Sequence, residues 1–258
     1  MPFVNNGDVR LNYEAVGDGP NIVLIHANPF DRRLWRFQVE GFSERYRMVA
    51  MDLRGYGASD KPEDPFTFDD MVADVLAVGD TAGVESAVFM GASVGSSLAL
   101  RVALDDPGRV SRLVLVGGNA GVAASGLARI AGYESDGIAY RAEHIHQLVA
   151  PGFGDTRRGR VLIDNFLRDN GDLIPATIAN VFRAMEDRDM TDRLPSLNVP
   201  TMVVNGEHDL SLTSGRRTAG LVPDARHYVL PGAGHVCNYE DPDAFNDVLR
   251  DFLEDARW

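Results

Sequence analysis

Val88-Phe89-Met90-Gly91-Ala92-Ser93-Val94-Gly95-Ser96-Ser97-Leu98-Ala99-Leu100 is the stretch on which the reading of this chain turns. An apolar run enters Gly91-x-Ser93-x-Gly95 and leaves as a helix-like sequence. Small residues flank the serine because the backbone must bend sharply there, and bulky side chains would strike the neighbouring strand and helix. Such a bend holds the Ser93 hydroxyl clear of the sheet at a helix N-terminus. There the Val94 amide and the helix dipole both favour a developing negative charge. A bare GxSxG in a glycine-rich chain is an ordinary tight turn; the strand before it and the helix after it are what give it meaning here.

Working outward, short apolar, β-branched runs alternate with longer amphipathic stretches, the pattern of a mostly parallel, doubly wound α/β sheet with helices on both faces. Strands are expected at Val9–Tyr13, Ile22–His26, Met48–Asp52, Ala87–Met90, Leu113–Val116, Met202–Asn205 and His227–Leu230. Helical periodicity predicts Phe68–Ala82, with a stripe of Met71, Val72, Val75, Leu76 and Val78. It also predicts Val94–Leu104 and Pro242–Leu253, the last turning Phe245, Val248, Leu249 and Phe252 toward the sheet. Between Gly118 and about Pro195 the strand rhythm stops and glycine-broken helical segments replace it. The expected organisation is therefore a core domain of residues 1–117 and 196–258, interrupted by a helical cap at 118–195.

A serine hydroxyl is a poor nucleophile until a base takes its proton, so a histidine and an acid are sought downstream. Thr201-Met202-Val203-Val204-Asn205-Gly206-Glu207-His208-Asp209 is a strand closing into a glycine turn, which sets Asp209 in a loop at the strand's C-terminal end, where open parallel sheets bind ligands. Glu207 competes for the acid's role, and Asp209 is preferred. Tyr228-Val229-Leu230-Pro231-Gly232-Ala233-Gly234-His235 repeats the pattern, with His235 at the loop tip. Alone, each is a turn former or a surface residue. Together with Ser93 they stand in the chain order serine, acid, histidine. A second oxyanion donor belongs in the loop after the early strand, His26-Ala27-Asn28-Pro29-Phe30. Pro29 has no N–H, so Ala27 and Asn28 are the candidates, and Asn28 is chosen. His26 is expected to tie this loop to the backbone. Phe30 and Trp35 either line the pocket or pack the first helix against the sheet.

On these residues the chain resembles the α/β-hydrolase superfamily, in the group with small carboxylesterases, enol-lactone hydrolases and cofactor-free haloperoxidases. The matching pieces are His26-Ala27-Asn28-Pro29, Asp52-Leu53-Arg54-Gly55-Tyr56-Gly57-Ala58-Ser59, Gly91 to Gly95, Gly206 to Asp209, and Pro231 to His235. The resemblance implies an α/β-hydrolase fold, a nucleophile at Ser93, an acid at Asp209, a base at His235, oxyanion donors at Asn28 and Val94, and no cofactor or metal. Relatives usually carry His-Gly where this chain has His26-Ala27, and the added methyl is expected to narrow the oxyanion side of the pocket. Serine at position 93 argues against haloalkane dehalogenation.

The expected activity is hydrolysis of a small carboxylic ester or lactone through an acyl-enzyme on Ser93. The same triad also hosts C–C bond hydrolysis, lyase or perhydrolase chemistry, and a pocket without turnover would be a ligand receptor. Other signals are weaker. The formal charge of -13, with no basic run, argues against nucleic acid and anionic membrane partners and favours neutral or cationic small molecules. The start of the chain has neither a basic leader nor an apolar stretch, which makes a cytoplasmic protein the expectation. Cys237, the one cysteine, reads as a small buried residue rather than a nucleophile. His144-Ile145-His146 reads as cap surface rather than a metal site, because residues two apart on a helix diverge. Gly117-Gly118-Asn119-Ala120-Gly121 lacks the spacing of a dinucleotide loop.

Overall fold

Alternation along the central strands sends neighbouring side chains to opposite faces, and both faces are covered. In the computed structural model, which describes residues 2–121, 126–186 and 188–255, eight strands make one sheet. Residues 122–125 and 187 of the expected cap, and 1 and 256–258 of the expected core, lie outside the described residues. The strands are β1 (Phe3–Asn6), β2 (Val9–Val16), β3 (Asn21–Ile25), β4 (Arg47–Met51), β5 (Ala87–Ala92), β6 (Val110–Val116), β7 (Thr201–Gly206) and β8 (Arg226–Leu230), in the order β1-β2-β4-β3-β5-β6-β7-β8. The pairs β1/β2 and β2/β4 are antiparallel, and the remaining pairs are parallel.

Ten helices complete the described chain: α1 (Arg36–Phe42), α2 (Phe68–Thr81), α3 (Val94–Asp105), α4 (Gly126–Ser135), α5 (Ile138–Leu148), α6 (Arg157–Asp169), α7 (Pro175–Ala184), α8 (Leu212–Leu221), α9 (Cys237–Glu240) and α10 (Pro242–Leu253). Phe89, Leu113, Leu115 and Val203 point into the core beneath α2 and α3. Val88, Met90, Val114 and Val204 point into the core beneath α10, where Phe245, Leu249 and Phe252 meet them. Val248 is only half-buried, at the edge of that face. Helix α2 starts where it does because Thr67 and Asp70 form a capping box, with the Asp70 amide donating to Thr67 Oγ1 at 3.1 Å and the Thr67 amide to Asp70 Oδ2 at 2.8 Å. At α10, Asp241 caps the first turn and Pro242 occupies the first helical position, where its missing N–H costs nothing.

Strand β1 is absent from the sequence reading, and β2 runs three residues past the expected Tyr13. Asn5-Asn6-Gly7 looks like a turn in isolation. Pairing of Phe3 to Asn6 with Val9 to Asn12, and a 2.8 Å hydrogen bond from Asn6 Nδ2 to Asp74, hold the segment extended. The Asp52 to Ser59 motif is scaffold: the Asp52 carboxylate accepts from the Arg32 amide at 3.0 Å, the Arg32 guanidinium at 2.7 Å and the Ala58 amide at 3.0 Å. Arg54 forks onto the buried Asp74 carboxylate at 2.5 and 2.8 Å.

Between β6 and β7 the chain is helical, α4 to α7, with no strand among the described residues. The sheet resumes at Thr201, after a 3-10 segment over Thr191–Ser196. This helical stretch is tied to the loop that follows β8. The His235 amide donates to Leu148 O at 2.9 Å, and the buried Glu240 carboxylate accepts from Ala150 N at 2.8 Å and Gly234 N at 3.0 Å. No helix among the described residues is long and apolar enough to cross a membrane.

Candidate active site

Ser93 sits between β5 and α3 with φ +51° and ψ −112°, a conformation that costs a residue with a Cβ on the order of 1–3 kcal/mol and persists only where its surroundings enforce it. They do so here: the Ser93 amide donates to Val116 O at 2.8 Å, and its carbonyl accepts from Ser96 N at 3.0 Å and Ser96 Oγ at 2.5 Å. The flanking glycines have a steric reason. A Cβ on Gly91 would collide with the Gly95 carbonyl, and one on Gly95 with the Ile25 carbonyl, both backbone atoms that cannot move aside.

The acid and the base arrive on adjacent loops because β7 and β8 are neighbours and their turns are cross-linked, Glu207 N to Leu230 O and His208 N to Ala233 O, each at 2.9 Å. His235 Nδ1 donates to Asp209 Oδ1 at 2.7 Å. Three further donors reach the same carboxylate: the Ser211 amide at 2.8 Å, the Ser211 hydroxyl at 2.9 Å and Asn205 Nδ2 at 2.8 Å. Burial alone would raise the Asp209 pKa, but the charge and hydrogen bond of His235, with the Asn205 and Ser211 donors, outweigh it and hold the carboxyl well below the usual range. Glu207, the competing acid, is exposed and accepts instead from the Gly232 amide.

A cavity of about 790 Å³ lies at this edge of the sheet, with Ser93, His235, Val94 and Asn28 on its core side and Leu148, Phe182 and His144 on its helical side. Val94 is the first residue of α3, so its amide has no acceptor within the helix. Asn28, joined to Pro29 by a cis peptide bond, is buried, and its Oδ1 accepts from Tyr56 O–H at 2.6 Å. His26 is the backbone tie expected of it: Nδ1 donates to Ala27 O and Nε2 accepts from Leu53 N, both at 2.9 Å. Burial lowers its pKa and keeps it neutral.

Several expectations are corrected. Phe30 and Trp35 do not line the cavity; both are fully buried in the α10-side core, where Phe30 meets Phe166 edge to face at 4.7 Å. The Ala27 methyl is in that core too, so it does not narrow the pocket. His144 is not cap surface. It is buried on the cavity wall, whereas His146, two residues on, is exposed. Asn28 Nδ2 at 3.3 Å and Tyr133 O–H at 3.2 Å both face His144 Nδ1, which leaves the ring neutral with its proton on Nε2. Gly117 is glycine because a Cβ there would press on His235 O at 2.7 Å and Nδ1 at 2.9 Å. Cys237 is fully buried, and desolvation pushes its thiol pKa up, which makes it inert.

Neutral His144 has a measurable consequence. Burial lowers its pKa from 6.5 to about 2, so between those values the unfolded chain takes up a proton that the folded chain refuses, and stability falls as pH drops through that window. At pH 5 the term is about 2 kcal/mol, from 1.36 kcal/mol per unit. Denaturant titrations at pH 7 and pH 5 should show wild type losing about that much more than His144→Gln. Equal losses would contradict a buried neutral ring.

Comparison with known proteins agrees with this geometry. The family described as alpha/beta hydrolase fold matches residues 20–242. The 3-oxoadipate enol-lactonase 2 of Acinetobacter baylyi is 25% identical over 257 residues, covering 94% of this chain and 92% of the relative. A non-heme haloperoxidase of Rhodococcus erythropolis is 28% identical, covering 98% of this chain and 100% of the relative. The crystal structure of the enol-lactonase from Burkholderia xenovorans LB400 superposes with a TM-score of 0.91 at 26% identity, covering 98% of this chain and 100% of that one. A match over nearly the whole sheet, coming on top of a strained serine bend and an Asp–His pair on neighbouring loops, leaves one assignment: the chain belongs to the α/β-hydrolase family and is a hydrolase.

Proposed function

We propose that this hydrolase cleaves a small carboxylic ester or lactone through an acyl-enzyme on Ser93, beneath a cap domain formed by the helical stretch 118–195. The observation that carries the reading is the 2.7 Å bond from His235 Nδ1 to the four-donor Asp209 carboxylate, with His235 and Ser93 on the wall of one cavity. Asp209 fixes the tautomer that leaves Nε2 free to accept a proton. In the proposed cycle His235 takes the Ser93 proton as Oγ attacks the carbonyl carbon, and the oxyanion meets the amides of Asn28 and Val94, each worth roughly 3–4 kcal/mol in comparable sites. The tetrahedral intermediate collapses, and His235 returns the proton to the leaving alcohol or to the opened lactone oxygen. Water, activated by the same imidazole, then releases the acid. No step needs a metal or cofactor.

The named relatives support the ester and lactone class, since an enol-lactonase stands among the similar proteins and among the similar structures. A panel of nitrophenyl esters, simple lactones and a vinylogous diketone tests the choice. Turnover of esters or lactones with the diketone untouched is expected. Preferential cleavage of the diketone would assign the triad to C–C hydrolysis, and no turnover of any member, together with no labelling by a fluorophosphonate, would point to a binding protein.

A further inference from the structure

We propose that His227 on β8 is a positioning residue for the catalytic acid, acting through Asn205 to hold Asp209 onto His235; this deepens the serine-hydrolase reading and rests on it. The sheet brings the two side chains together. Val203 pairs with His227 across β7 and β8, so His227 and Asn205, two residues further along β7, share one face. His227 Nε2 lies 2.9 Å from Asn205 Oδ1, and Asn205 Nδ2 lies 2.8 Å from Asp209 Oδ2 and 3.1 Å from Ser211 Oγ. His235 Nδ1 closes the chain at Asp209 Oδ1, 2.7 Å away.

The direction of each bond is fixed from the catalytic end. An ionised carboxylate only accepts, and Asp209 is held ionised, so the side of Asn205 that faces it is the N–H side. The Ser211 hydroxyl donates to Asp209 Oδ2 at 2.9 Å and is left to accept from the same Asn205 nitrogen. Both amide hydrogens are thus committed, and Oδ1 is turned toward β8 as an acceptor. His227 must therefore present a proton on Nε2. Burial and the nearby Arg216 charge lower the His227 pKa, so above neutral pH the ring carries a single proton, and this chain of bonds places it on Nε2 rather than Nδ1.

The surroundings leave the amide little room to turn. Asn205 is fully buried, and Gly215 of α8 packs against it: a Cβ there would lie 2.3 Å from Oδ1 and 2.9 Å from Nδ2. A buried carbonyl oxygen without a donor is costly, and a donor on Oδ1 polarises the amide and strengthens its N–H groups toward Asp209. His227 is half-buried and lies off the cavity wall. Its effect on the reacting atoms runs by way of Asn205 and Asp209.

The rate and the stoichiometry of fluorophosphonate labelling at Ser93, read together, test this. His227→Phe keeps an aromatic ring without an N–H. It should label to the same extent per chain but about tenfold more slowly, the effect of one buried hydrogen bond lost. Ester kcat should fall by the same factor with KM unchanged. His227→Gln, whose amide nitrogen reaches the place of Nε2, should come within about threefold of wild type. Heteronuclear NMR of the wild-type imidazoles at mildly alkaline pH should show the His227 proton on Nε2, the signal being assigned by its loss in His227→Gln. A packing role alone would give fewer labelled chains at an unchanged rate. That result, a His227→Gln as slow as His227→Phe, or a proton on Nδ1 would each overturn the proposal. Should His227→Phe fail to fold, the tautomer and His227→Gln still decide. A wild-type protein that takes no label fails the Ser93 reading instead, so the two failures are told apart.

Discussion

Ser93→Ala lowers turnover by about a million-fold, the size of loss seen when the nucleophile of a comparable triad is removed, and leaves the folding transition in place. Chemistry and fold separate at this residue because the bend is held by backbone groups, Ser93 N to Val116 O and Ser96 to Ser93 O, and by the small volumes of Gly91 and Gly95. Alanine pays the same backbone strain at φ +51° as serine does. Steady-state rates on the best substrate of the panel, with a melting curve for each protein, check this. A variant that keeps its activity would remove Ser93 from the mechanism, whatever the role of the Asp209–His235 pair.

Asp209→Asn should cost about ten-thousand-fold in kcat with little change in substrate affinity, by analogy with removal of the same charge from a serine-protease triad. All four groups facing this carboxylate are donors, from His235, Ser211 twice and Asn205. A carboxamide offers one oxygen and two N–H groups, so it faces at least one donor with another. The imidazole can then adopt the tautomer with its proton on Nε2, which cannot accept from Ser93. Stability responds as well. The folded-state pKa of Asp209 lies below its ordinary 3.8, so its contribution is fully present above that value and disappears as pH falls through the lower, folded one. The stability gap between wild type and Asp209→Asn should accordingly narrow in strong acid, as chemical denaturation across pH would show. A kcat reduced less than tenfold would argue that the acid only positions the loop.

Much of this was legible in the sequence, for reasons that differ from residue to residue. Central strands announced themselves because both faces are buried and most positions are apolar. The bend at Ser93 did so because the backbone packs too closely for a Cβ two positions before and two positions after it, at Gly91 and Gly95. Asp209 and His235 were found by chain order and by strand-then-glycine punctuation. What escaped was set by partners distant in sequence. Phe3 to Asn6 is a strand only because Val9 to Asn12 lies beside it. Phe30 and Trp35, close in sequence to the loop after β3, are buried in the α10-side core, Phe30 against Phe166 of α6. His144 and His146 lie on the same helix, α5, and only packing shows which of the two turns inward. The one available sign was an apolar helical face, Ile145 and Leu148 beside it, too short to fix a phase.

The central claim is a Ser93 hydroxyl activated by His235. Stoichiometric reaction with a fluorophosphonate, located by peptide mass spectrometry, tests it most directly. One label per chain on Ser93, with the rate collapsing in His235→Ala, is the expected result. A wild-type protein that takes no label, or takes it at another residue, would contradict the account.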